Sequence, residues 1–445
     1  MRSSRHVAPA PLLAFLVAAL AVLGMWRQTE QSGAIDFYQF WVVGRALEEH
    51  PNVDPYAETG RARLGNLYLK EALELGATTS KRHRDVAQFR RVLGNYSTPA
   101  LYALFSVLES GDFERDARRF ELVSAGALVL GLLLLARLLR YSWTAVGLLI
   151  ALVTPWFAPL ASDLGVMNVN RLQLGTVALV AWLAARGGSR LVVAAALLGA
   201  AVLVKPNLAF AALGLTLALA FERRWRALLG WAGGGILGAL VAFGGSLLVW
   251  GGAEPWSRWR VAVTELLGDW SSHTIEWGNY ATGLALSQGT GVEIPGLVWI
   301  GLGLFLAALA VGCRAPSDDN TLPIRGPRTA LALGAGLAVG LVGARLTWLH
   351  YDLLALPLIL VLWRRRGDLE APSRRALRVG FGTLGFLGLA LRPVQALGLA
   401  DTPLQQALVV NAGLLALFAG GLIEIARGAD YGDGPQDDAP GVEAA

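Results

Sequence analysis

Long apolar runs recur along the chain: Leu12–Trp26, Phe120–Leu139, Trp143–Ala161, Leu172–Ala185, Leu191–Val204, Leu208–Phe221, Ala227–Trp250, Gly296–Val311, Thr329–Ala344, Trp348–Trp363, Ala376–Leu391 and Leu404–Ile425. A helix crosses the hydrocarbon core with about 20 apolar residues, so several of these runs lie near the lower length limit. The pattern predicts an all-α polytopic membrane protein with about 12 transmembrane helices. Arg2 and Arg5 precede the first run, and no small-residue cleavage pattern follows it. It therefore reads as a retained helix rather than a cleaved signal peptide. Glycines such as those in 233–245 sit inside a run, where small residues let helices approach closely.

Two stretches break the rhythm, 27–119 and 251–295. They are expected as a long first outer loop and a second, tryptophan-rich one within a single transmembrane unit spanning 1–428. The first loop has its own pattern. Phe37, Phe40, Trp41, Gly44 and Leu47 share one helical face, with Asp36, Gln39 and Glu48 off it. That spacing predicts a helix lying along the bilayer surface. Leu64, Leu67, Tyr68, Ala72 and Leu75 predict a second amphipathic stretch. Pro99–Leu108 is apolar but too short to span, and is expected as a re-entrant or interfacial piece. The acidic, Gly/Pro-bearing residues 429–445 predict a disordered cytoplasmic tail.

Composition narrows the class. Only 16% of residues are charged and 54% are hydrophobic, against about 25% charged in soluble proteins. The net charge of +5 needs no nucleic-acid partner, because arginines at helix ends account for it. With the N-terminus placed in the cytoplasm, the inner helix ends hold 19 Lys and Arg and the short outer connections 6. Long loops cross regardless of charge, so 27–119 is left out of that comparison. The asymmetry predicts a plasma or inner membrane protein with both termini cytoplasmic. A single cysteine, Cys313, excludes internal disulfides and multi-cysteine metal sites.

Polar groups within apolar runs cost free energy and mark function. Sorted by depth, Asp36, Asp163, Asn168, Asn170, Arg171, Gln173, Lys205, Asn207, Arg345, His350, Asp352 and Arg392 lie near outer helix ends. Each has an ordinary explanation. Asp36 reads equally as a solvated or helix-capping carboxylate, and Lys205-Pro206 as a snorkelling end and helix stop. Arg345 reads as a lipid anchor, His350 with Tyr351 as an interfacial aromatic pair, and Asn168 and Asn170 as packing groups. Their collection on one leaflet points instead to an enzyme site at the outer surface, since a transporter places its key groups near the midplane. No His-Glu-x-x-His, Asp-x-Asp, Gly-x-Ser-x-Gly or phosphate-cradling glycine loop occurs, so neither a metal nor a soluble cofactor is expected.

In order along the chain stand Asp36-Phe37, Asp54-Pro55-Tyr56, Tyr96 with Pro99, Asn168-Val169-Asn170, Lys205-Pro206 and Trp348-x-His350-Tyr351. Their order and spacing resemble the C-type membrane glycosyltransferases, and within them glycosyltransferase family 87, the polyprenyl-phosphate-mannose-dependent mannosyltransferase-like group. Two motifs depart from that family. One proline is missing after Tyr96, and Asn168 stands where a glutamine is usual. The resemblance implies a polyprenyl-phosphate sugar donor, a lipid or glycan acceptor, and transfer of a mannose-like hexose on the non-cytoplasmic face. It implies Asp36 as the base, with Lys205, Arg345, His350 and Arg171 on the donor phosphate. Tyr38, Asn168, Asn170, Tyr351 and Tyr96 would be substrate-binding residues. A carboxylate suits the base role, and cations in a water-poor site suit the leaving phosphate. One base without a second carboxylate points to direct displacement with inversion. A lipid-linked-glycan flippase, or an oligosaccharide ligase or polymerase, would share the apolar content and outer cations.

Overall fold

A computed structural model describes residues 9–30, 32–75, 80–94, 96–268, 274–312, 326–364 and 370–428. The tail, His273 and Cys313 lie outside the described residues. The fold is all-helical. In chain order the α-helices are α1 Pro9–Glu30, α2 Ile35–Glu49, α3 Glu58–Glu74, α4 Lys81–Phe89, α5 Pro99–Leu108, α6 Phe113–Leu138 and α7 Trp143–Trp156. There follow α8 Ala158–Val166, α9 Asn170–Ala184, α10 Ser189–Val204, α11 Ala209–Phe221, α12 Trp225–Trp250, α13 Glu254–Gly268 and α14 Thr282–Thr290. The chain continues with α15 Leu297–Gly312, α16 Gly326–Gly343, α17 Leu356–Trp363, α18 Pro372–Leu389, α19 Arg392–Ala396 and α20 Pro403–Ala426. Every apolar run of the sequence falls on a helix or a helix pair. Among the described residues, extended pairing is confined to an isolated bridge between Asn279 and Trp348.

The protein is a membrane protein. The helices α1, α6, α12, α16 and α20 are each long and apolar enough to cross a bilayer, and α7 with α8 makes a sixth crossing if the bent pair counts as one. That pair turns by 63° because Pro155 and Pro159 remove backbone donors on either side of Phe157. The other apolar helices are shorter than a hydrocarbon core of about 30 Å requires at 1.5 Å per residue. Close packing rests on glycine where predicted. A Cβ on Gly238 would lie 1.9 Å from the Ala196 carbonyl oxygen, so α10 and α12 meet backbone to backbone.

Two apolar cores form. The larger joins α1, through Ala18 and Met25, to the bundle from α6 onward. The smaller is built from α2 to α5 and the start of α6. Within it α2 departs from the expectation of a surface helix. Phe37 through Ala46 are all buried, polar faces included. The reason lies in the loop itself, which supplies partners for the polar side. Gln39 accepts a hydrogen bond from the Gly94 amide. Arg45 pairs with Glu49 and Glu71 and sits 4.8 Å over the Trp41 ring. His83 stacks on Phe113 at 4.6 Å. Burial, with a smaller contribution from the Arg45 charge, pushes the His83 imidazole down to about 4. It is therefore neutral at physiological pH and acts as packing. The short α5 runs across α2, where Gly44 allows backbone contact with Phe105.

Candidate active site

Asp36 stands in the first turn of α2, where a carboxylate is favoured by the helix dipole. It is not the helix cap. Ala34 holds that position in left-handed conformation and makes no side-chain cap bond. Both carboxylate oxygens are engaged by side chains from distant segments. Arg90, at the end of α4, donates to Oδ1 at 3.2 Å. Asn168, in the connection between α8 and α9, donates to Oδ2 at 2.7 Å. Gln39 adds a longer contact of 3.4 Å.

The Asn168 amide has its orientation fixed. Its Oδ1 accepts from the Val169 N–H at 2.7 Å, so Nδ2 is the atom turned to Asp36. The same Nδ2 lies 3.3 Å from His350 Nε2. Donating to both, it makes Nε2 the unprotonated nitrogen of His350. His350 Nε2 is itself 3.9 Å from Asp36 Oδ2. Met167 before this turn takes φ 56 and ψ 55, a left-handed conformation uncommon for a residue with a side chain. Such outliers persist where surrounding structure enforces them.

Lys205 arrives by a different device. Pro206 cannot continue α10, and a residue before proline is pushed out of the helical region. Lys205 accordingly adopts φ −142 and ψ 102, which frees its side chain at the helix end. Its ammonium lies 5.5 Å from the Phe40 ring and 6.0 Å from the Tyr351 ring, and its charge interacts with Asp36 and Asp163. Among the described residues it makes no ion pair. Tyr351 stands edge-on to His350 at 4.8 Å.

Beside this cluster runs an apolar groove of about 450 Å³. Phe37, Leu101, Phe105, Phe120, Leu172 and Val204 form much of its wall, and Lys205 contributes to the lining. Three of these neighbours adjoin the cluster in sequence: Phe37 follows Asp36, Val169 in the same wall follows Asn168, and Val204 precedes Lys205. A cavity of this size is within the usual range for ligand sites.

The structure thus brings together Asp36, Asn168, Lys205, His350 and Tyr351. It places the other expected residues elsewhere. Arg171 is enclosed between two carboxylates, donating to Glu121 at 2.5 and 2.9 Å and to Asp163 at 2.7 Å. Asn170 donates to Asp163 at 2.9 Å. Arg345 is exposed on the connection that leads into the His350 segment. Tyr38 is buried among Trp41, His83 and Phe113. The Tyr96 hydroxyl accepts from Arg61, and its carbonyl accepts from Trp259. Arg90 was not singled out by sequence, because it is one cation among many in a long polar loop.

The profile of glycosyltransferase family 87 matches residues 97–322. Neither the curated proteins nor the solved structures give a match to the chain. The matched segment holds Asn168, Asn170, Arg171 and Lys205, while Asp36 and His350 lie outside it on either side. With the match spanning half of its length, the chain belongs to glycosyltransferase family 87 and is a membrane glycosyltransferase.

Proposed function

We propose that the protein transfers a mannose-like hexose from a polyprenyl-phosphate sugar to a lipid or glycan acceptor on the non-cytoplasmic face, with inversion. The observation that carries this reading is the position of Asp36. A carboxylate shared by Arg90 and Asn168 adjoins an apolar groove whose lining includes Lys205. Asp36 takes the proton of the acceptor hydroxyl. The acceptor oxygen bonds to the anomeric carbon as the carbon–phosphate oxygen bond breaks, and polyprenyl phosphate leaves. Of the carboxylate's roughly four lone-pair sites, the bonds from Arg90, Gln39 and Asn168 leave one for the hydroxyl proton. Lys205 and His350 meet the phosphate at the groove, with Arg345 reaching it from the solvent side and Tyr351 framing it. The groove takes the head-proximal part of the polyprenyl chain. An apolar wall beside the departing phosphate strengthens charge stabilisation by Lys205 relative to water. Arg171 has no part in the step, since two carboxylates already hold it.

Transfer of label from polyprenyl-phosphate mannose to endogenous lipid or glycan in membranes carrying the protein tests this reading. No transfer from any polyprenyl-phosphate hexose would overturn it. In the same assay Lys205→Ala should raise the donor KM at least about tenfold, because a hydrogen bond to a charged group contributes about 1.5–3 kcal/mol. An unchanged donor KM in both Lys205→Ala and Arg345→Ala would remove these residues from the phosphate site.

The proposed orientation has about twelve crossings, counting the short helices and the bent pair, with both termini in the cytoplasm. Asn52 and Ser189 are exposed and belong to opposite faces in this scheme. In a Cys313→Ala background, Asn52→Cys should react with an impermeant maleimide in intact spheroplasts, and Ser189→Cys only after permeabilisation. The reverse order would invert the topology.

A further inference from the structure

A second cavity, of about 310 Å³, is lined by Trp26, Thr29, Arg82, Glu114, Arg118 and Glu121, with Ala117 and Met167 completing it. It shares two partitions with the apolar groove. The first is α6. Residues 114, 117, 118 and 121 fall on one face of this helix and line the cavity, whereas 116, 119, 120 and 123 fall on the opposite face and line the groove. The second is the connection after α8. Met167 lines the cavity and Val169 the groove, while Asn168 between them donates to Asp36. Cavity and groove therefore flank the Asp36–Asn168 pair from two sides. An inverting displacement needs this arrangement, because the entering hydroxyl attacks opposite the leaving phosphate.

The lining indicates the class of ligand. Two carboxylates stand against two guanidinium groups, so the cavity carries no net charge to select an anion. Three of the four charged groups are held in place: Arg171 fixes Glu121, Ser80 donates to Glu114, and Arg82 reaches Ser32 and Met167. Arg82 also lies near the Glu114 carboxylate, at 3.6 Å, so donors and acceptors stand side by side in the lining. Donors and acceptors gathered beside an indole suit a neutral, polyhydroxylated ring, whose hydroxyls pair with the charged groups while its C–H face packs on Trp26. We propose that this cavity binds the acceptor through an uncharged sugar unit. The acceptor is then a glycan or glycolipid, not a bare lipid phosphate. The assignment rests on the transferase reading above.

The test uses the purified full-length protein in a detergent without a sugar headgroup. Binding of the methyl glycosides of mannose, glucose and galactose is followed by saturation-transfer difference NMR, independently of turnover. At least one glycoside should give signal in the wild type. Trp26→Leu and Arg118→Gln should each weaken it about tenfold, with the thermal midpoint unchanged; Arg118 is exposed, so its replacement leaves the fold intact. In the transfer assay both variants should raise the acceptor KM and leave the donor KM as it was. Absence of glycoside binding, equal binding in both variants, or displacement by dodecyl phosphate in preference to other glycosides would overturn the proposal. Trp26-dependent glycoside binding without any transfer activity would instead reject the transferase reading and the acceptor role, leaving only a sugar site.

Discussion

Asp36→Asn should slow sugar transfer by about a hundred- to ten-thousand-fold, the usual worth of a general base, while the donor KM changes little. The carboxamide keeps the size of the side chain but cannot take a proton. The structure adds a complication that the substitution must be controlled for. Both oxygens of Asp36 accept hydrogen bonds, one from Arg90 and one from Asn168. A carboxamide turns its NH₂ toward one of these donors, which costs folding stability as well as chemistry. The swap Asp36→Asn with Asn168→Asp separates the two effects. It restores a carboxylate–carboxamide pair between the same positions and keeps the net charge, but it moves the carboxylate away from α2. If Asp36 is the base, the swap recovers stability and leaves turnover at the level of Asp36→Asn. If the pair serves only to pin the connection after α8 onto α2, the swap recovers turnover as well. Recovery of near-wild-type rates would reject the mechanism proposed here.

The reach of the sequence differed between fold and site for identifiable reasons. Apolar runs specify helices through local chemistry alone, so every one of them was legible, including the stop that Pro206 imposes after Lys205. The burial of α2 was not. Its polar face reads as solvent-facing, and only the loop that folds over it supplies the Gly94 amide and the Glu71 carboxylate that bury Gln39 and Arg45. The site shows the same division. Asp36, Lys205 and His350 stood out because each is a polar group beside an apolar run. That Asn168 links Asp36 to His350 depends on a turn conformation at Met167 that no spacing rule encodes. Arg90 carries no local signal, since cations are common in 27–119 and nothing nearby distinguishes this one.

Arg171 shows how a cation in an apolar run divides between two meanings. Sequence alone cannot tell a phosphate ligand from a structural charge, because the partners decide it and they are distant. One signal was available: Glu121 sits at the edge of the run Phe120–Leu139, an acidic residue where lipid-facing positions would be apolar. In the fold Arg171, Glu121 and Asp163 are buried together, with Asn170 satisfying the remaining carboxylate oxygen of Asp163. Breaking such a cluster by removing one member leaves uncompensated charge in a low-dielectric interior, at a cost of about 3–5 kcal/mol. Arg171→Met should therefore lower the thermal midpoint of the detergent-solubilised protein by several degrees and reduce its yield. Replacing the whole cluster, by Arg171→Met with Glu121→Gln and Asp163→Asn, should recover much of that loss, because it removes the orphaned charges together. The donor KM of the folded fraction should stay near that of the wild type in both variants. A phosphate-binding Arg171 predicts the opposite pattern: an unchanged midpoint, a donor KM raised at least about tenfold, and no rescue by the two carboxylate replacements. Because Glu121 also lines the polar cavity, the triple variant should show a raised acceptor KM, which Arg171→Met alone produces only if the free Glu121 side chain moves.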